Sequence, residues 1–258
     1  MGGWRTSRVL AVLMAAGVVV PTVAWAGTRV IAGQQSLQIK VTLKPNRAGA
    51  RGVKFELRYG YTNPKAPGQQ PPYNLKSIIF TEPKGVALNP SAVPSCRESA
   101  VVNANDNASV CPSNSKVGNG SVTVNARPAI PTLISGTVTI YNGVDDGGYG
   151  GFPKGSRELI LNIVTSIGVN SVEFFHVVKA AGGQVQLIAR GAKPAMPGVA
   201  PGSLTLQSLD LTIASSSKKP YLSNPSTCPG SWPFSLAVTN WFGQPSITAR
   251  DQVSCTSH

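Results

Sequence analysis

Histidine is scarce in this sequence, which contains only His176 and the C-terminal His258. A hydrolytic triad needs a histidine as its general base, and the chain also lacks the G-x-S-x-G pattern of a nucleophile elbow. His176 lies in SVEFFHVVK, where it alternates in phase with Val172, Phe174 and Val178. A single histidine in such a strand is more often a packed or hydrogen-bonded core residue than a catalytic base. We therefore assign no catalytic residue from the sequence.

Acidic residues are also few, with 10 aspartates and glutamates against 23 lysines and arginines. The net charge of +13 favours anionic partners such as phosphate-bearing polymers, nucleic acid or acidic lipid headgroups, although it also promotes solubility. Glycoside hydrolysis needs paired carboxylates, and no pair stands out among the acids considered: Asp106, Asp145, Asp146, Glu158, Glu173, Asp210 and Asp251. The run Asp145-Asp146-Gly147-Gly148 offers oxygen ligands for calcium, but without EF-hand spacing it is more typical of a plain loop. We expect no bound metal and no cofactor.

Long apolar runs are absent after residue 26, which argues against a transmembrane helix in the rest of the chain. Residues 1–26 have the three parts of an export signal: two arginines, an apolar stretch over 9–20, and Ala24-Trp25-Ala26 as a small-x-small cleavage site. The alternative, an uncleaved membrane anchor, is disfavoured because Pro21 interrupts the span and the run is short. We predict a signal peptide over 1–26 and a secreted domain over 27–258, built as one β-sandwich or as two packed β subdomains.

Cysteine occurs four times, without Cys-x-x-Cys spacing or a nearby histidine, so a zinc site built on cysteines is not expected. In an exported chain an even number of cysteines predicts disulfides. Three pairings are possible, and the sequential one, Cys96 with Cys111 and Cys228 with Cys255, closes the shortest loops. Each bond would stabilise the fold by about 3 kcal/mol because it restricts the unfolded chain.

Glycine and proline are abundant, with 27 and 21 residues, whereas charged residues make up only 13% of the chain. Between these turn formers, apolar residues alternate or run together over strand lengths at 76–82, 117–125, 136–141, 158–166, 170–178, 184–190 and 204–214. No segment shows the 3.6-residue periodicity of a long helix. The pattern predicts an all-β fold, a mostly antiparallel β-sandwich or jelly-roll-like architecture with about ten or more strands.

Two hairpins can be predicted together with their register. In the first, over 36–62, pairing about Gly49 places Leu43 opposite Phe55. In the second, over 228–255, Phe242-Gly243 forms the bend, and pairing of Trp241 with Gln244 brings Cys255 opposite Gly230, close to Cys228.

One helical turn is also predicted. Ser95 followed by Glu98 three residues later has the pattern of a capping box, which favours a short helix beside Cys96. The NANDN run at 103–107 then forms a loop tip inside the first disulfide.

The polar side of the first hairpin is basic. Its register places Lys44 opposite Lys54 and Lys40 opposite Arg58, and like charges in direct opposition are mildly destabilising. We therefore consider this surface, here called the basic face, a candidate anion-binding site; it comprises Lys40, Lys44, Arg47, Arg51, Lys54 and Arg58. The alternative is a solvated basic surface, since salt screens such charges.

Several segments resemble a group of secreted, functionally uncharacterised β-rich proteins of actinobacteria. The resemblance rests on LKPNRAGARGVKFELRY, EPKGVALNPSAVPSC, CPSNSKVGNGSVTV, TIYNG and STCPGSWPFSLAVTNWFGQPSITARDQVSC. Its most specific parts are the Cys-Pro motifs at Cys111 and Cys228. The resemblance implies an all-β fold with structural cysteines and no known activity. This chain has Phe242-Gly243 at the closing turn, where the group usually has Asp-Gly.

These observations predict a secreted or cell-envelope-associated, non-enzymatic β-sandwich protein with a binding or structural role. The alternative is a secreted carbohydrate-active enzyme or carbohydrate-binding module, because jelly rolls host both. The expected partner is an anionic cell-wall polymer or a polysaccharide, without sequence-specific recognition of nucleic acid.

Overall fold

The computed structural model describes residues 27–66, 68–69, 71–73, 75–125, 132–148, 151–190, 205–214 and 218–257. The predicted signal peptide lies outside these residues. The strands are β1 (Thr28–Ala32), β2 (Gln35–Lys44), β3 (Lys54–Thr62), β4 (Leu75–Thr81), β5 (Ala87–Leu88), β6 (Cys96–Arg97), β7 (Lys116–Asn125), β8 (Leu133–Val144), β9 (Arg157–Thr165), β10 (Asn170–Lys179), β11 (Val185–Arg190), β12 (Thr205–Ile213), β13 (Leu222–Ser223), β14 (Ser231–Asn240) and β15 (Ile247–Ser254). Helix α1 spans Glu98–Asn103, and single 3-10 turns span Ala108–Val110 and Ser113–Ser115. The all-β prediction is confirmed, although it omitted β1 and the two-residue strands.

The strands form a 13-stranded sheet in the order β1-β2-β3-β12-β7-β8-β9-β10-β11-β4-β14-β15, with β6 pairing β8 off this path. Most neighbours are consecutive along the chain, but β12 lies between β3 and β7, and β4 lies between β11 and β14. A twisted sheet of this size curls, and here its two ends meet. Asp251 of β15 accepts a hydrogen bond from the backbone N–H of Val41 in β2 at 2.7 Å, and Arg47 forms a parallel bridge with Thr256. The result is a flattened, nearly closed barrel with two facing layers.

The main core fills the space between these layers. It is built from the alternating apolar residues of the long strands, as the period of two predicts. Phe80 of β4 lies at its centre, 5.7 Å from the ring of Phe55 and 5.9 Å from that of Phe234. Burial of such residues supplies the principal favourable term in folding.

Both predicted hairpins form in the predicted register. Leu43 pairs with Phe55 and Lys44 with Lys54 in the first. In the second, the N–H of Cys255 donates to the carbonyl of Gly230 at 3.1 Å. Phe242 and Gly243 have φ values of 57° and 66°, which is the conformation of a type I′ turn.

Both predicted disulfides are present, joining Cys96 to Cys111 and Cys228 to Cys255. Two disulfides are typical of a protein that resides in an oxidising environment outside the cytoplasm. In the described part of the chain, no helix has the length and apolar character needed to cross a bilayer.

The segment 96–115, here called the disulfide loop, covers the outer face of β8, β9 and β10. Ile160 points outward from β9 and packs in a second, smaller core with Val101, Ala108 and the Cys96–Cys111 bond. The predicted short helix is present, but its predicted capping box is wrong. Arg97 occupies the N-cap position without a side-chain cap.

The two residues of the expected capping box have other roles. The Ser95 hydroxyl accepts hydrogen bonds from the Asn142 amide at 3.1 Å and from Arg157 at 3.2 Å. Glu98 turns inward and is only 3% exposed. Its carboxyl group therefore faces the sheet instead of the helix N-terminus.

Candidate functional site

The four strand residues of the basic face lie on the outer side of β2 and β3, because they alternate with buried residues such as Phe55 and Leu57; Arg47 and Arg51 lie between the two strands. Lys40 pairs with Arg58, and Lys44 with Lys54, as the register predicts. Lys40 is half-buried, whereas the other five residues of the face are exposed. The like-charged pairs are therefore real neighbours on an accessible surface.

Acidic side chains contact three of these basic residues. The Lys54 ammonium lies 2.5 Å from Glu56 Oε1, Lys40 Nζ lies 3.7 Å from Asp251 Oδ2, and Arg58 Nε lies 3.6 Å from Asp210 Oδ1. The hydrogen bond from Lys54 is the main cause that lowers the pKa of Glu56. Since six basic residues meet three acidic partners, the face keeps an excess of three positive charges.

A shallow polar groove of about 280 Å³ adjoins the basic face where β3, β12 and β7 run side by side. The polar residues that line it are Glu56, Arg58, Asn119, Ser121, Asp210 and Thr212. None of the described residues that line the groove is aromatic. Saccharide-binding surfaces depend on stacking as well as hydrogen bonds, so this groove offers only the polar half of such a site.

A second constellation is buried beneath the disulfide loop. Glu158 of β9 and His176 of β10 are cross-strand partners that point away from the main core. Glu98 approaches them from α1, and Asp145 follows directly after β8. We call these four residues the buried acidic cluster. They are between 0% and 3% exposed.

The distances within this cluster are short. His176 Nδ1 lies 3.6 Å from Glu158 Oε2 and 4.0 Å from Asp145 Oδ2. One donor atom each from Glu98, Glu158 and His176 lie within 4.8 Å of one another. When the two glutamates are ionised, four buried atoms of the cluster have no hydrogen-bond partner among the described residues: Glu98 Oε2, Glu158 Oε1, Glu158 Oε2 and His176 Nδ1.

Gly143 makes room for the Glu158 side chain. It is the cross-strand partner of Glu158 in β8, and it also pairs with Cys96 of β6. A Cβ atom at this position would lie 2.6 Å from Glu158 Cγ and 2.7 Å from Ile160 Cγ1. The small residue is therefore needed for Glu158 to lie flat beneath the disulfide loop.

The surroundings fix the orientation of the cluster. The His176 ring stacks on Phe152 at 3.9 Å between centroids, and Arg190 lies 4.0 Å above the same Phe152 ring. Asp145 Oδ1 accepts hydrogen bonds from the backbone N–H groups of Gly147 and Gly148, which leaves Oδ2 facing His176.

Burial perturbs the acids strongly. It raises the pKa of Glu98 to about 7, with Asp145 as the next cause, and that of Glu158 to about 9, with Glu98 and Asp145 adding to the effect. Burial lowers the pKa of His176, and the positive charge of Arg190 adds to this, while Asp145 opposes it. Near neutral pH the imidazole is therefore neutral, and without a cation Glu158 retains its proton while Glu98 is about half protonated.

The neighbouring Asp146 behaves differently. Burial acts to raise its pKa, but hydrogen bonds from the Ser99 hydroxyl at 2.6 Å and the Ser99 backbone N–H at 2.9 Å leave the pKa lowered overall. This ionised carboxylate ties the first turn of α1 to the loop after β8.

The structure brings together some of the residues that the sequence analysis considered separately. Asp145, Glu158 and His176 were each examined as candidates, and they meet in one buried cluster. Glu98 was missed because its spacing from Ser95 suggested a capping role. The signal that could have indicated the cluster was the presence of Glu158 and His176 in otherwise apolar strands, because a buried charged residue needs a partner.

Comparisons with known proteins give no further assignment. No protein-family model matches the chain. No curated protein and no solved structure matches it either. The function is therefore argued from the geometry of these two sites.

Proposed function

We propose that the protein is a secreted, cell-envelope-associated binding protein without catalytic activity, whose basic face holds an anionic polymer of the envelope. The observation that carries this proposal is the direct opposition of Lys44 with Lys54 and of Lys40 with Arg58 on the surface of β2 and β3. Such an arrangement is unfavourable by itself and becomes favourable when a line of negative charges lies across it.

The ion pairs on this face are compatible with polymer binding. Exposed pairs such as Arg58 with Asp210 contribute only about 0–1 kcal/mol. A phosphate group can therefore take the place of a carboxylate at small cost. Arg47 and Arg51 extend the face beyond the strand ends, so that a chain of repeating phosphates meets positive charge over its whole width.

The polymer class follows from the chemistry and the compartment. The basic face is an open surface of mostly exposed side chains, so recognition relies on repeated non-specific contacts. The two disulfides favour a location outside the cytoplasm, so an envelope polymer with repeating phosphate groups is the polyanion that we propose.

The test compares the mature protein, residues 27–258, with two variants of equal net charge. One has Lys40, Lys44, Lys54 and Arg58 replaced by Gln. The matched control has Lys84, Lys154, Lys179 and Lys218 replaced by Gln, all of them exposed residues outside the basic face. Each protein is applied to phosphate-bearing wall material and, separately, to DNA, and is eluted with increasing NaCl.

We expect the face variant to elute at clearly lower salt than the control and the native protein, because several counterion-releasing contacts are lost. Retention on DNA but not on wall material would make nucleic acid the polyanion instead. Equal elution of the two variants would refute a role for this face.

A polysaccharide-binding role is the second candidate, and the polar groove beside the basic face favours it. Asn119, Ser121 and Thr212 offer neutral hydrogen-bonding groups next to two carboxylates. Such binding would persist at high salt and would be weakened by Asn119→Ala. Affinity electrophoresis in gels containing soluble polysaccharides measures this directly.

A further inference from the structure

The buried acidic cluster combines features that are costly for a protein unless a ligand compensates them. Glu158 is fully buried, and as a carboxylate it meets no hydrogen-bond donor among the described residues; only a proton shared with Glu98 can satisfy it. His176 is 3% exposed, and its Nδ1 atom points at carboxylates from Glu158 and Asp145 instead of a backbone group. Buried polar atoms are normally satisfied, so these call for an explanation.

The donor atoms lie close to the spacing of a coordination shell. Neighbouring donors around a tetrahedral divalent ion lie about 3.4 Å apart when each is about 2.1 Å from the ion. The donors of Glu98, Glu158 and His176 already lie within 4.8 Å of one another, and the His176–Glu158 distance is 3.6 Å. Bringing every pair of donors to about 3.4 Å takes relative side-chain movements of at most about 1.4 Å.

The cluster is also held in place before any ligand arrives. The disulfide between Cys96 and Cys111 anchors the segment that carries Glu98. The absence of a side chain at Gly143 keeps space for Glu158, and stacking on Phe152 holds the His176 ring. Pre-organised ligands on rigid elements are what a specific metal site requires.

We propose that Glu98, Glu158 and His176 bind one divalent first-row transition-metal ion, Mn²⁺ or Zn²⁺, in a structural site that joins the disulfide loop to β9 and β10. Asp145, whose Oδ2 lies 4.0 Å from His176 Nδ1, supplies a further carboxylate beside the ion. This inference is independent of the basic face and of any polymer that it binds.

The choice of ion follows from the donor types. Carboxylate oxygens suit Mg²⁺, Ca²⁺ and Mn²⁺, whereas a neutral imidazole nitrogen suits Zn²⁺ and other transition metals. A set with both donor types favours Mn²⁺ or Zn²⁺ over the alkaline-earth ions. A divalent charge also balances buried carboxylates that otherwise repel one another.

The first experiment measures binding to the mature protein, prepared without a polyhistidine tag and treated with EDTA. Titration calorimetry and thermal melts are run with Mn²⁺, Zn²⁺, Ca²⁺ and Mg²⁺ separately. We expect one equivalent of Mn²⁺ or Zn²⁺ to bind and the melting temperature to rise by roughly 5–10 °C at a hundredfold excess over Kd. Absence of binding by both ions would overturn the proposal and leave a proton-sharing structural cluster.

The second experiment locates the ion through variants. Glu158→Gln replaces an anionic oxygen donor with a weaker neutral amide, and His176→Asn removes the imidazole, so both should weaken binding at least tenfold. Glu82→Gln is the matched control, because Glu82 is also a buried acid but is not among these donors. Unchanged binding in the two cluster variants would place the ion elsewhere and refute the assignment.

A third measurement leaves all three proposed donor residues unchanged. The chain has two histidines, so the imidazole signals of His176 and His258 can be assigned by NMR with a His258→Ala protein. Substoichiometric Mn²⁺ should broaden the His176 signals selectively. Selective broadening of His258 alone, or His176 signals that change with neither Mn²⁺ nor Zn²⁺, would contradict the site.

Discussion

Glu82 gives the sharpest test of how burial controls the stability of this protein. It follows β4, is 3% exposed, and its Oε2 atom has no hydrogen-bond partner among the described residues. Burial raises its pKa from 4.5 to about 8. Between these two values the unfolded chain has already released the proton that the folded protein still holds.

The sign of the pH effect follows from linkage. Because the folded state binds more protons, the free energy of unfolding falls as pH rises from about 4.5 to about 8. The contribution of Glu82 is fully present below this window and fully lost above it. Each pH unit corresponds to about 1.4 kcal/mol, so the whole window of about 3.5 pH units is worth on the order of 5 kcal/mol.

The perturbation is Glu82→Gln, which keeps the shape of the protonated acid and cannot ionise. We expect the variant and the native protein to have similar stability at pH 5. By pH 8 the variant should be more stable by up to about 4 kcal/mol. The glutamates of the buried acidic cluster are present in both proteins, so their titration cancels in the difference.

The assay is urea unfolding in EDTA at pH 5, 6, 7 and 8, with stability taken from the midpoint and slope. Asp106→Asn serves as the control, because Asp106 is an exposed acid at a loop tip. Parallel pH profiles for the native protein and Glu82→Gln would show that Glu82 is not buried as described and would refute the reasoning.

Two further predictions concern the disulfides and the turn of the second hairpin. Full reduction of the disulfides should lower the melting temperature by several degrees, because even one loop closure of about 3 kcal/mol is a large part of the stability of a domain; a melt that is unchanged in reducing agent would contradict this. Phe242→Asn should raise the free energy of unfolding by up to about 1 kcal/mol, since Phe242 has a φ of 57° and Asn-Gly suits a type I′ turn. Urea unfolding measures the second effect, and a loss of stability in this variant would count against the assigned turn.

Local pairing was predictable because it depends on near neighbours in the sequence. The alternation of Leu43 and Phe55 with charged residues fixes which side of each strand faces the core, and a shift of one residue would expose every apolar side chain. The same logic placed Cys255 beside Gly230 and so predicted the second disulfide. The first disulfide followed from its short loop.

The capping-box prediction failed for a tertiary reason. Ser95 accepts its hydrogen bonds from Asn142 and Arg157, which lie 47 and 62 residues away in sequence. Glu98 is drawn beneath the disulfide loop toward Glu158. A four-residue pattern contains no information about partners this far away in sequence. The long-range contacts therefore outweighed the local preference for a capping box.

Side-chain period, turn length and composition were enough to predict the long strands, the register of the two hairpins, the cysteine pairs and the surplus of basic residues, but not β1 or the two-residue strands. The order of the strands, with β12 between β3 and β7 and β4 between β11 and β14, emerged only from the folded chain. The fold alone brought Glu98, Asp145, Glu158 and His176 into one buried cluster. The physical reason is that these contacts join residues far apart in the chain, where sheet order and the path of the disulfide loop, rather than local pattern, set which groups meet.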